Sequence, residues 1–362
     1  MKYLENLHIE KFRGLRNLEL KNLGQINLLV GINNCGKTSI LEALSIYCMP
    51  LDITVWLNTL NQRNEMMKNS GRSSVLESLK WLFPQSEEGE KNQISISSTG
   101  EFYLQKLIVT SEEIEGLLLS NREQQIRKGL ELDIKVYTLQ GNLFQLPEYQ
   151  ENIELWENEL RPKKIKVNKE FEKLPIAIVT PASHRSELRQ FQLLSEANFD
   201  NFKSDVIDLL NYIDGDIIDL EILLSPPSTF ASFNIYIKHK KLGFAPIHTF
   251  GDGVRRLIHI ALQLARAKGG ILLIDEIEST IHTEIMIDSF SWIINSCKKM
   301  DIQLFATTHS LEVIDKLLST TESSSDLVFY RLEPKKLQTK VIRHDWNRLK
   351  ILREELGQEV RW

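Results

Sequence analysis

Apolar and polar positions change period along this chain, and the changes mark its elements. Leu7-His8-Ile9-Glu10-Lys11-Phe12 and Asn17-Leu18-Glu19-Leu20 largely alternate, which predicts two half-buried strands. Residues 25–30 read as a buried strand, and 37–47 as a helix with Ile40, Leu41, Leu44 and Tyr47 on one face. Over 50–174 the pattern predicts helices at 76–83 and 112–127, between short strands at 94–96, 101–109 and 130–137. A strand over 176–180 stops at Pro181, and 187–212 reads as one long amphipathic helix. Strands at 217–224 and 230–238 follow, then a helix at 254–268, a buried strand at 271–274, a helix at 284–299 and a buried strand at 302–306. The tail adds strands at 327–332 and 340–343 and a helix at 346–356.

Strands alternating with helices predict an α/β fold around a largely parallel sheet. We expect a head formed by 1–49 and 175–362, with a compact α/β insertion over 50–174. That insertion lacks a sustained heptad repeat, so no long coiled coil is expected. The 362 residues are 42% hydrophobic and 26% charged, the profile of a globular protein with a sizeable core. A net charge of −5 excludes a polycation built to coat nucleic acid and leaves a local basic face open. Cys35, Cys48 and Cys297 have no metal-like spacing and imply no disulfide framework. The N-terminus has no signal-peptide pattern, and no apolar run reaches the roughly 18 residues needed to span a bilayer, so a cytoplasmic location and no membrane partner are expected.

Gly31-Ile32-Asn33-Asn34-Cys35-Gly36-Lys37-Thr38 fits G-x-x-x-x-G-K-[ST] between an apolar strand and a helix. In that context the backbone N–H groups cradle phosphate and the helix start faces it. Lys37 reaches the β- and γ-phosphates of ATP, and the Thr38 hydroxyl ligates Mg²⁺. A second strand, Ile271-Leu272-Leu273-Ile274, ends in Asp275-Glu276. Asp275 is the candidate Mg²⁺ ligand and Glu276 the candidate general base. A third strand ends in Thr307-Thr308-His309-Ser310, where His309 is placed to sense the γ-phosphate and Ser310 to cap the next helix. Gly251-Asp252-Gly253-Val254-Arg255-Arg256 opens the helix before the Asp275 strand, either as an acidic helix cap or as a second anion site.

Together these motifs resemble the ABC-type ATPases, within the branch holding SMC, RecF and OLD (overcoming lysogenisation defect) proteins. Ile9-Glu10-Lys11-Phe12-Arg13-Gly14 looks like their first strand, and the Asn33-Asn34 pair is typical of the OLD-like group. Asp275 to His282 resembles the extended Walker B and D-loop, His309 the switch histidine, and Phe250 to Arg256 the signature. The resemblance covers about residues 1–48 and 243–315. It implies that Gly31, Asn33, Asn34, Cys35, Gly36, Lys37, Thr38 and Ser39 bind ATP. It further implies that Glu276, His309 and Lys37 are catalytic, and that Gly251, Asp252, Gly253 and Arg255 contact the nucleotide of a second copy. The signature serine of most relatives is replaced here by Gly251; either Thr249 substitutes for it or the backbone N–H groups suffice.

A homo-oligomer, a dimer at least, is therefore expected. The tail after Ser310 is too short for the Toprim nuclease domain that many OLD-like proteins carry, so a separately encoded effector such as a Toprim-like nuclease is the expected partner, in the setting of anti-phage defence. A RecF-like ATPase acting directly on DNA is the alternative, and a scaffold using ATP only structurally is the third. Four weaker signals remain. The basic run from Arg161 to Lys169 favours a solvated loop over a DNA contact. Arg13 is either near nucleotide or DNA or in an exposed turn. Cys35 is a candidate redox thiol, with a tolerated small residue the plainer reading. Trp346, Trp362 and the last helix form either a docking surface or part of the core.

Overall fold

The apolar run around Leu28 is the hub of one of two six-stranded sheets. In a computed structural model of the chain, the residues described are 2–64, 75–85, 92–120, 123–138, 146–157, 174–224, 233–281, 286–321, 326–335 and 338–361. The central sheet has the order β15-β14-β3-β13-β12-β8. Its strands are β3 (Ile26–Val30), β8 (Ile176–Val179), β12 (Ile271–Ile274), β13 (Gln303–Thr308), β14 (Leu327–Lys335) and β15 (Gln338–Asp345). All neighbours run parallel except β15, which returns antiparallel along β14.

Strands β3 and β12 are buried on both faces, which is why β12 reads as an unbroken apolar run and β3 as one interrupted only by the buried Asn27. Leu28 and Val30 face one core while Leu29 faces the other; Leu272 and Ile274 divide in the same way from Ile271 and Leu273. One core holds α1 (Lys37–Cys48), pressed between the central sheet and an antiparallel one. The other holds α4 (Glu187–Phe199), α5 (Lys203–Asn211), α6 (Asp252–Arg266), α7 (Met286–Lys299) and α8 (Leu311–Thr320). Each fully buried Leu or Ile in these layers contributes about 1.5–3 kcal/mol. The buried Gln303 side chain fastens the chain's start to β13: Nε2 donates to Leu4 O at 2.8 Å and Gly24 O at 2.9 Å, and Oε1 accepts from Leu4 N at 2.9 Å.

The antiparallel sheet has the order β2-β1-β4-β5-β6-β7. It joins β1 (Asn6–Phe12) and β2 (Leu15–Leu20) to β4 (Gln93–Thr99), β5 (Leu104–Ser120), β6 (Glu123–Thr138) and β7 (Tyr149–Trp156). The strands of the 50–174 stretch thus extend the sheet begun by the first two strands, while its helices α2 (Ile53–Asn64) and α3 (Val75–Lys80) precede them. A three-stranded sheet of β9 (Ile217–Leu224), β10 (Phe233–His239) and β11 (Gly243–Pro246) completes the strands.

Two expectations are corrected. The helix expected over 112–127 is instead the far half of β5 and the near half of β6, paired from Glu112↔Glu131 to Ser120↔Glu123. Its Glu- and Leu-rich composition suits a helix. It is carried into a hairpin by β6, whose Leu130, Leu132, Ile134 and Val136 are buried at a strict period of two. The single helix expected over 187–212 is broken at Asp200-Asn201, where Asn201 takes the left-handed conformation (φ 59°) and α5 starts in a new direction. The terminal helix is α9 (Trp346–Lys350), followed by a π-type turn at Ile351–Glu355. Trp346 packs on the core and its Nε1 donates to Thr321 Oγ1 at 2.8 Å, whereas Trp362 and the basic run at 161–169 lie outside the described residues. Among the described residues no helix is long and apolar enough to cross a membrane.

Candidate nucleotide site

The carboxyl ends of β3, β12, β13 and β8 meet at one edge of the central sheet, where parallel sheets gather ligands. A cleft of about 680 Å³ opens there, a size that suits a nucleotide. Asn33, Asn34, Gly36, Lys37, Thr38 and Ser39 line it from the loop after β3. Asp275 and Glu276 follow β12, Thr307 and His309 end β13, and Thr180 and Pro181 follow β8.

The loop has its shape because glycines stand where a side chain cannot. Gly36 caps α1 at φ 100°, and a Cβ there would sit 2.6 Å from Leu15 Cδ2. At Gly31 a Cβ would sit 2.6 Å from both Leu332 O and Cys35 Sγ. Lys37 Nζ donates to Gly31 O at 2.7 Å and Ile32 O at 3.0 Å, which folds the ammonium over the loop at the N-terminus of α1. Cys35 is buried behind the loop, and burial pushes its thiol up despite Lys37 nearby, so it is poorly suited to redox chemistry. Arg13 lies in the turn between β1 and β2, with its Nε 2.7 Å from the carboxylate of Glu42, itself buried on α1.

The two acids are organised by one hydroxyl. Thr307 Oγ1 donates to Asp275 Oδ1 at 2.6 Å and accepts from Glu276 N at 2.8 Å. Thr38 Oγ1 donates to Asp275 Oδ2 at 3.0 Å. A hydroxyl and a carboxylate this close are two hard oxygen donors, the chemistry Mg²⁺ selects, so Thr38 and Asp275 fit the expected ion. When bound, Mg²⁺ neutralises charge on the β- and γ-phosphate oxygens. Glu276 is held at φ 49°, the left-handed region. Burial raises its carboxyl above the usual range, and the charge on Asp275 adds to this. His309 is exposed; its Nδ1 lies 3.2 Å from Glu278 Oε1, which also accepts from Thr308 Oγ1 at 2.8 Å. Ser310 caps α8 through a bond from Val313 N, as the sequence suggested.

Gly251, Asp252, Gly253 and Arg255 do not line this cleft. They open α6, with Gly251 as its N-cap and open space around it. Thr249 Oγ1 donates to Pro246 O at 2.7 Å, so that hydroxyl is engaged within its own turn. The Asp252 carboxylate lies 3.0 Å from Nε2 of the buried His184 and 2.8 Å from Arg185 Nη2. Burial alone would raise Asp252, but bonds from Arg185 and His184 outweigh it and hold the carboxyl below its ordinary range. Arg256 is fully buried, and burial pulls its guanidinium down to about 10 against the upward pull of the surrounding carboxylates. Reasoning from sequence did not single out Thr307, Thr180 or the Arg13–Glu42 pair, and it grouped Arg256 with the signature-like helix start, whereas its side chain bonds main-chain carbonyls of its own chain. The available signals were a hydroxyl at the end of an apolar strand and a cation on the apolar stripe of α6.

Residues 26–315 match the family described as "AAA domain, putative AbiEii toxin, Type IV TA system". Over 333 residues, 87% of each protein, the chain is 24% identical to an ATP/GTP phosphatase of Helicobacter pylori. A stretch of 45 residues, 12% of this chain and 12% of the other, is 44% identical to the DNA replication and repair protein RecF of Rickettsia conorii. Among solved structures, the Pyrococcus furiosus Smc head domain with an extended coiled coil, bound to the C-terminal domain of ScpA, matches with a TM-score of 0.48 at 11% identity, covering 99% of this chain and 100% of that one. The SMC head domain from Thermotoga maritima matches with a TM-score of 0.43 at 13% identity, covering 95% and 99%.

Proposed function

Because this chain belongs to the family described as "AAA domain, putative AbiEii toxin, Type IV TA system", we propose that it is an ABC-type ATPase head whose nucleotide site is completed by a second copy. The chain hydrolyses ATP. The observation that carries the assignment of roles is the Thr38–Asp275–Thr307–Glu276 chain of hydrogen bonds at the mouth of the phosphate loop. Lys37 and the α1 N-terminus hold the phosphates, Thr38 and Asp275 hold Mg²⁺, and Glu276 takes the proton of the attacking water. His309 stands at the rim, where a γ-phosphate is within reach of an exposed imidazole.

The start of α6 supplies the second half of the site in trans. What supports this is its position outside the chain's own cleft, with backbone N–H groups free at a helix N-terminus. ATP then binds two heads together and hydrolysis releases them, a switch that acts on a separately encoded effector, with anti-phage defence as the setting. The test is sedimentation of Glu276→Gln with Mg·ATP, alongside phosphate release by the wild type. A species of doubled mass that requires ATP is expected. An unchanged mass with ATP bound overturns the shared site. What co-purifies with the natively expressed chain then identifies the effector.

One observation favours a second reading. The short match to RecF of Rickettsia conorii supports an ATPase that acts on DNA directly. Hydrolysis stimulated severalfold by duplex DNA, with a steep dependence on salt, would select it over the effector switch.

A further inference from the structure

The left-handed turn at Glu276 is held at both of its main-chain groups by side chains. Its N–H is taken by Thr307 Oγ1 at 2.8 Å, and its carbonyl by Arg256 Nη2 at 2.9 Å. The other arm of the same guanidinium, Nη1, donates to Thr180 O at 3.0 Å and Pro181 O at 3.3 Å. We infer that Arg256 is a positioning residue for hydrolysis: its guanidinium clamps the Glu276 carbonyl to the loop after β8 and thereby aims the Glu276 carboxylate.

Three observations carry this. First, Arg256 is fully buried, yet among the described residues its hydrogen bonds go only to main-chain carbonyls. All three acceptors belong to residues that line the nucleotide cleft. A cation used only to fill the core would have no reason to divide its donors between two cleft loops. Second, a non-glycine residue at φ 49° persists where its surroundings hold it; for Glu276 the side chains that hold it are Thr307 and Arg256, beside a local bond from Ser279 N to the same carbonyl at 2.9 Å. The planar fork of Arg, with donors at fixed angles, suits a clamp between two loops better than the single ammonium of Lys.

Third, Arg256 sits one helical turn into α6, the helix whose start carries Gly251 to Gly253. The loop it grips is the one that holds that start. Asp252 is tied to His184 and Arg185, which lie three and four positions after Pro181. The helix start, the β8 exit loop and the Glu276 carbonyl are therefore one connected unit. A shift of α6 when its start engages a second copy's nucleotide would reach Glu276 through Arg256. This rests on the reading of Glu276 as general base and of the α6 start as the trans contact.

The experiment is a double-mutant cycle on the full chain. Phosphate release and affinity for a fluorescent ATP analogue are measured for Arg256→Lys and Arg256→Gln, each alone and with Glu276→Gln. Each single variant should lose roughly ten- to a hundredfold in kcat while ATP affinity stays within about twofold. Lys should retain more activity than Gln, because it keeps one charged donor. In the Glu276→Gln background either change should alter the residual rate by less than about twofold, since the side chain it would aim is already disabled. An equal loss in both backgrounds, or wild-type kcat in both single variants, overturns the proposal. So does loss of ATP binding and cooperative melting in both, which would make Arg256 a core prop. A wild type that releases no phosphate, or a Glu276→Gln variant as active as wild type, refutes the reading of the site itself and is visible without any Arg256 variant.

Discussion

Arg13 Nε lies 2.7 Å from Glu42 Oε2, and this contact joins the turn between the first two strands to the helix that follows the phosphate loop. Glu42 is only 2% exposed and Arg13 only 13%, so the pair is largely shielded from water. Breaking such a pair strands a buried charge, which costs about 3–5 kcal/mol. Glu42→Ala should therefore lower the unfolding free energy in urea by about 3 kcal/mol, with less further loss when Arg13→Ala is added. Full additivity of the two changes would show that the contact carries no coupling.

Thr307 gives a sharper test of how the acids are aimed. Its hydroxyl serves Asp275 and the Glu276 N–H together, so Thr307→Val removes both bonds while keeping the shape of the side chain. The expected result is a kcat lower by roughly ten- to a hundredfold. Stability should fall by about 1–3 kcal/mol for the donor left unpaired. Single-turnover phosphate release and thermal melting measure the two. Retention of the wild-type rate would mean that the hydroxyl organises nothing at the reacting end.

Asp252 is expected to act within its own chain before it acts on any other. It stands in the first turn of α6 and meets the buried His184 as well as Arg185. Asp252→Ala removes an acid favoured at a helix start and leaves a buried imidazole nitrogen without its partner. Together these should cost about 1–2 kcal/mol. A melting temperature equal to that of the wild type would show the contact to be idle.

Acidification should unfold the protein earlier than its carboxylates alone require. Burial holds His184 and His344 below the ordinary value of 6.5, and His259 well below it. The unfolded chain therefore binds protons that the folded chain refuses as pH falls from 6.5 toward the folded values. Stability is fully present above that window and is lost within it, at up to about 1.4 kcal/mol per pH unit for each such histidine. Urea unfolding between neutral and mildly acid pH should show this slope, and His259→Gln should flatten it by about one proton. A flat profile in the wild type would contradict the burial argument.

The elements legible before any fold is known are those whose instructions are local. The loop from Gly31 to Thr38 needs glycine at fixed positions because its backbone turns where Cβ atoms clash. The strand leading into Asp275 is apolar throughout because a parallel strand is covered on both faces. Both features are written at short range and are legible without a fold. The β5–β6 hairpin is different. Its Glu- and Leu-rich stretch suits a helix, and only cross-strand pairing with the alternating half of β6 made it sheet. The break at Asn201 depended on where α5 could pack, which no local pattern states.

The site divides along the same line. Lys37, Thr38, Asp275, Glu276 and His309 stand out because their types and neighbours are unusual for strand ends and helix starts. Thr307 and Arg256 do not, since a threonine after a strand and an arginine in a helix are ordinary residues until their partners are known. Those partners lie in segments far apart in sequence, at Asp275, Glu276, Thr180 and Pro181. Hydrogen bonds are satisfied in space, and which two loops the buried guanidinium joins follows from how α6 packs beside them.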